Sequence, residues 1–282
     1  MNNKTLIGGV LAVVAVLGIA VWWFVFNGDA PEAVSVDDAN AQLDADLAAA
    51  ADDDGAADSG ADDGGADDDG GADDDGAADS GADDGGTDAS AAAGFDGDID
   101  AVWVIDDEIG SFDFETASGS FAGFRVDEEL TVGAVVAVGR SGGVAGSLTI
   151  EGGALTAANI TVDMSTIVSN DSRRESAIRR TVDASSFPTA SFTLTQPVEL
   201  PAGLGDGETV TVDAVGDLTI AGTTNEVTFA ITALVRVDGF GIVTGSVEMV
   251  WDDFGITPPS APVVVSIADE GVIEFQLGVA KG

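Results

Sequence analysis

The chain has 282 residues, 51 of them acidic and 9 basic, giving a formal net charge of −42 with no Cys and no His. Without thiols or imidazoles there is no disulfide framework, zinc-thiolate centre, Cys nucleophile or Ser-His-Asp relay, so only carboxylates, hydroxyls and a few cations remain for chemistry. So negative a surface repels phosphate backbones and argues against nucleic acid as a partner, and because the acidity continues past residue 100 it suits salty surroundings that screen self-repulsion.

Residues 1–26 read as an N-terminal membrane anchor. Leu6–Phe26 is an uncharged apolar run of 21 residues, which as a helix spans roughly 31 Å of hydrocarbon. Trp22 and Trp23 suit the headgroup interface, and Lys4 before the run predicts an N-terminus inside and everything after Asn27 outside. The expected location is therefore a single pass of the cell membrane with an extracytoplasmic C-terminal domain. Gly28 and Ala30 also fit a signal-peptide cleavage site, although Pro31 would follow the cut.

Residues 27–100 carry 25 acidic groups and no Lys or Arg, and read as a disordered linker unable to bury a core. The string ADDDGAADSGADDGG occurs at 51–65 and again at 72–86, a tandem expansion without apolar positions to stack. As flexible coil the linker would reach roughly 45–50 Å, and further under self-repulsion. Calcium is not expected: the repeats lack the apolar position of a β-roll, and Asp96–Asp100 has Ala101 where an EF-hand loop needs Gly. No metal site is predicted.

From 101 to 282 period-two alternation of Val, Thr, Ile and Phe predicts an all-β domain. Strands are expected at 103–105, 111–115, 132–138, 146–150, 159–164, 191–195, 209–215, 226–232, 241–251, 263–267 and 273–277, closing into an antiparallel barrel or sandwich. One short helix is expected over 169–180, where N-cap candidates precede helix formers and four arginines.

Trp103-Val-Ile-Asp106, Ser111-Phe-Asp-Phe114, Val162-Asp-Met-Ser-Thr166, Ser172–Ile178, Phe187-Pro-Thr-Ala-Ser-Phe192, Gly216-Asp-Leu-Thr-Ile-Ala-Gly-Thr223 and Asp253-Phe-Gly-Ile256 follow one another in the order seen in the YceI-like family, which nearly all of 101–280 resembles. The resemblance implies a lipocalin-like antiparallel barrel with a long apolar interior, an extracytoplasmic setting, and a polyisoprenoid or related amphiphilic lipid as ligand. The sequence departs where family members often carry His: Gly110 and Ala177 stand there. Any role of those imidazoles is absent, while apolar binding needs none.

The inward candidates for lipid contact are Phe112, Phe114, Phe192, Phe229, Trp251 and Phe275, which either fill the lumen or line a pocket. Arg173, Arg174 and Arg179 either hold an anionic headgroup or pair with Asp171, Glu175 and Asp183. The carboxylate runs Asp106–Glu108 and Asp252-Asp253 read as solvated turn charges, so no catalytic residue and no cofactor beyond a bound polyisoprenoid is expected. Two other readings stay open: an envelope-interaction barrel packed shut, and a carboxylate-only hydrolase.

Overall fold

A computed structural model describes residues 30–54 and 95–282. The expected membrane span and the repeat-bearing stretch 55–94 lie outside the described residues, and no described helix is long and apolar enough to cross a membrane. The strands are β1 (Ala101–Ile105), β2 (Phe121–Leu130), β3 (Gly133–Ser141), β4 (Val144–Glu151), β5 (Ala154–Asp163), β6 (Val168–Ser169) and β7 (Thr189–Leu194). They continue as β8 (Val198–Glu199), β9 (Val210–Ile220), β10 (Thr223–Val235), β11 (Gly241–Val250), β12 (Val264–Ile267) and β13 (Glu270–Lys281). The helices are α1 (Val36–Asp54) and α2 (Ser172–Thr181).

Every ladder is antiparallel. The order β1-β4-β5-β7-β9-β10-β11-β13 closes on itself through β1 and β13, with Trp103 opposite Lys281 and Ile105 opposite Val279, which makes an eight-stranded barrel. The first half of β13 (Val272–Gln276) pairs instead with β2, which carries β3 and β12 at its flanks. Alternation decides which side faces in: along β9, Val210, Ala214, Leu218 and Ile220 are buried while Thr211, Asp213 and Asp217 are exposed. Two glycines make room for inward rings. A Cβ at Gly216 would meet the Phe192 ring at 2.4 Å, and one at Gly245 would meet Phe275 at 2.4 Å.

One end of the barrel is packed shut by Trp103, Leu148, Leu155, Val210, Val235 and Val279. The Trp103 indole donates to the Ile99 carbonyl at 2.9 Å, and Lys281 lies over its ring.

Three expectations are corrected. Residues 111–115 form no strand, because the Asp113 carboxylate accepts from the Glu115 and Thr116 amides and turns the chain. The described residues hold two α-helices where one was expected among them. The tether reading also fails over residues 31–54: α1 carries Val36, Ala39 and Leu43 on one face and buries them against Ile109 and Ile242. Its Ala-rich sequence favours helix, and Asp37 and Asp38 in the first turn favour its N-terminal dipole.

A buried polar clamp completes the docking. Glu274 is 1% exposed and accepts from Arg140 at 3.2 Å and Arg125 at 3.4 Å. The same guanidiniums donate to backbone: Arg125 to Pro31 O at 2.6 Å, Arg140 to Glu32 O at 2.8 Å and to Phe114 O at 3.1 Å. Arg140 also lies 4.4 Å from the centre of the Phe121 ring. Burial lowers the Arg140 pKa, opposed by the Glu274 charge, yet an arginine stays protonated there. Farther along α1, Asp44 and Asn40 engage Arg236, and Asp46 engages Ser111 and Ser118.

Candidate functional site

The interior above the closed end is a cavity of about 200 Å³, measured as the space open to the centre of a water-sized sphere. A single water needs about 10–15 Å³ on that measure, so the space takes on the order of fifteen ligand heavy atoms. Three rings form its middle. Phe229 meets Phe192 and Phe275 edge-to-face, each pair of centroids 5.3 Å apart. Toward the open end Trp251 packs against Phe124 at 5.9 Å, with its indole N–H bonded to the Ala268 carbonyl at 3.2 Å.

Four of the six aromatic candidates, Phe192, Phe229, Trp251 and Phe275, line the cavity together. Trp251 does so from a short 3-10 turn (Trp251–Phe254) rather than from the expected strand. Phe112 and Phe114 do not line it. Both sit in the 106–120 segment, where Phe112 covers Gly142 and Phe114 offers its carbonyl to Arg140. Those two inward assignments are corrected, since their alternation belongs to a turn and not to a strand.

Helix α2 lies over the open end, with Arg174, Ala177, Ile178 and Thr181 contributing to the wall. Asp171 caps it by accepting from the Arg173 amide at 2.8 Å. Burial raises the Asp171 pKa but bonds from Arg173 outweigh it, so the carboxyl titrates below its ordinary value. The three candidate arginines each have an acidic partner. Arg173 pairs with Asp171 at 3.2 Å, Arg174 with Glu128 at 3.1 Å and Arg179 with Glu175 at 3.9 Å. Only Arg174 reaches the cavity, where it also bonds Asn170.

The remaining polar wall atoms are few. Ser141 is fully buried and satisfied by Asp163 O at 2.7 Å and the Thr166 hydroxyl at 2.8 Å. The wall is thus apolar along its length, with one neutralised ion pair, Glu128–Arg174, at its entrance. Phe124, Val126 and Glu128 were not among the expected residues because β2 was not expected. Their alternation is present in the sequence, but the run Asp127-Glu128-Glu129 hides it. No cluster suited to a metal occurs among the described residues, and Asp252 and Asp253 are exposed in their turn.

A family model described as the YceI-like domain matches residues 111–279. Among solved structures the chain is similar to a polyisoprenoid binding domain from Saccharophagus degradans implicated in plant cell wall breakdown, at 16% identity and TM-score 0.49, covering 64% of this chain and 99% of that one. It is also similar to Burkholderia cenocepacia BcnA (19%, TM-score 0.44, 56% and 94% covered) and to a Campylobacter jejuni YceI protein (12%, 0.42, 51% and 84%). No curated protein matches it.

Proposed function

Because the chain belongs to the YceI-like family, we propose that its barrel binds a polyisoprenoid or similar amphiphilic lipid, tail-first in the cavity, as an extracytoplasmic protein held at the membrane by its N-terminal segment. The observation that carries this reading is the wall itself: an apolar tunnel ending at one paired charge accepts a hydrocarbon chain and offers a polar headgroup a place at the entrance. Each Å² of chain removed from water contributes roughly 25 cal/mol. A cavity of this size holds only the inner part of a long isoprenoid, so the rest of the chain runs past α2 toward the opening. A binding role rather than catalysis is supported by the exposure of Asp252 and Asp253 and by the pairing of Glu128 with Arg174.

The experiment is native mass spectrometry with lipid extraction of the full chain purified from membranes, compared with Ala177→Trp. Ala177 lines the entrance from α2 and is half-buried, so a Trp there blocks the path while leaving the barrel core intact. The expected result is lipid recovered from the parent and lost from the variant at unchanged melting temperature. A parent that never yields lipid would overturn the proposal.

A further inference from the structure

Ten large apolar side chains are exposed among the described residues, and five of them, Val132, Phe187, Val250, Val263 and Val265, lie at the open end of the barrel. The β2–β3 turn projects past Glu128, and the Thr131 amide bonds Val263 O at 2.9 Å, which sets Val132 and the start of β12 side by side on the rim. Phe187 rests on Gly222 of the β9–β10 turn, across the opening. The rim segment Phe254–Ala268 carries no charge over fifteen residues in a chain of net charge −42. Such an apolar border continuous with an apolar cavity is exposed surface that calls for a partner.

Charge and chain path point to the same partner. Four of the nine Lys and Arg, at 173, 174, 179 and 180, sit on α2 above the opening. Arg173, though paired with Asp171, leaves 76% of its side chain exposed, and Arg180 is exposed as well. The clamp holds Pro31 through Arg125, only three residues along β2 from Glu128 at the entrance. From Phe26, the end of the apolar run, to Pro31 is five residue steps, a reach of at most about 18 Å.

We propose that the open end of the barrel docks on a lipid bilayer, with the rim valines and Phe187 in the boundary between headgroups and acyl chains and the α2 arginines against lipid phosphates, so that the cavity opens onto the membrane. This rests on the lipid-binding reading and adds an orientation to it. Asp252, Asp253, Asp269 and Glu270 flank the rim, so the docking surface suits zwitterionic rather than anionic lipid.

The chain has no Cys, so Val132→Cys, Val265→Cys and Val237→Cys each take a single nitroxide label. Val237, 83% exposed in the hairpin at the closed end, is the control. With the full chain reconstituted in phosphatidylcholine vesicles, access of an aqueous paramagnetic reagent should fall several-fold at 132 and 265 and stay unchanged at 237. Equal access at all three sites, or protection at 237 alone, would overturn the proposal. In a double Arg173→Glu, Arg180→Glu variant, rim protection should weaken while access at 237 stays unchanged; undiminished protection would remove the arginines from the docking surface. Lipid extraction on the same samples separates the two readings. Recovered lipid with water-exposed rim labels defeats docking alone, and bilayer-protected rim labels without recoverable lipid defeat the cavity reading alone.

Discussion

Phe229 stands between Phe192 and Phe275 with 3% of its surface exposed, and removing its ring takes away both edge-to-face partners at once. Phe229→Ala should cost about 3–5 kcal/mol in urea denaturation, and the space released should admit bulkier chains, read as a shift in the lipids recovered. Asp171 sets a different dependence. Its folded pKa lies below the unfolded value of about 3.9, so its contribution is complete above that value and is lost only as pH falls through the lower folded one. Asp171→Asn should keep a cap acceptor while flattening the acid limb of the stability curve, which circular dichroism at stepped pH measures. At this scale the sequence was informative where periodicity was real: Phe192, Phe229 and Phe275 alternate in true strands and face inward. Phe112 and Phe114 show the same spacing, but Asp113 between them bonds the following amides and converts the pattern into a turn.

Between elements, the contact least visible in the sequence is the docking of α1. Its apolar face is only Val36, Ala39 and Leu43 in a context of Ala and Asp, a pattern too sparse to separate from the acidic stretch that follows. Its clamp is also nonlocal, since Arg125, Arg140 and Glu274 come from three strands and the groups they grip are backbone carbonyls. Arg140→Ala leaves a fully buried Glu274 with Arg125 alone and should cost about 3 kcal/mol. Amide exchange over Val36–Leu47 should accelerate with it. Combining Arg140→Met with Glu274→Leu should restore much of the stability, because replacing a buried pair by apolar groups removes its desolvation penalty. β2 was hidden by its acidic run, whereas α2 was legible from its capping residues and lies within a few residues of its expected limits.

For the molecule as a whole, the antiparallel all-β class followed from alternation and the barrel from the family resemblance, while the count of eight closing strands and the open and closed ends followed from neither, because they depend on which strands exchange partners along β13. The net charge of −42 is a property of this largest scale. Screening shortens from about 10 Å at 0.1 M salt to about 3 Å at 1 M, so the melting temperature by scanning calorimetry should rise with KCl across that range; a fall would show that ion pairs outweigh self-repulsion. The docking of α1 reaches further still. Asp54 ends α1, which is docked on the barrel, and Phe95, ahead of β1, is held to it through its amide to Val237 O at 2.9 Å. The 40 residues between them therefore leave and return to one body instead of setting its distance from anything else. One more fifteen-residue copy of the repeat would add about 0.3 kcal/mol of closure entropy, since that cost grows only with the logarithm of length. Copy number in this segment can therefore change at almost no cost to the docking of α1 on the barrel.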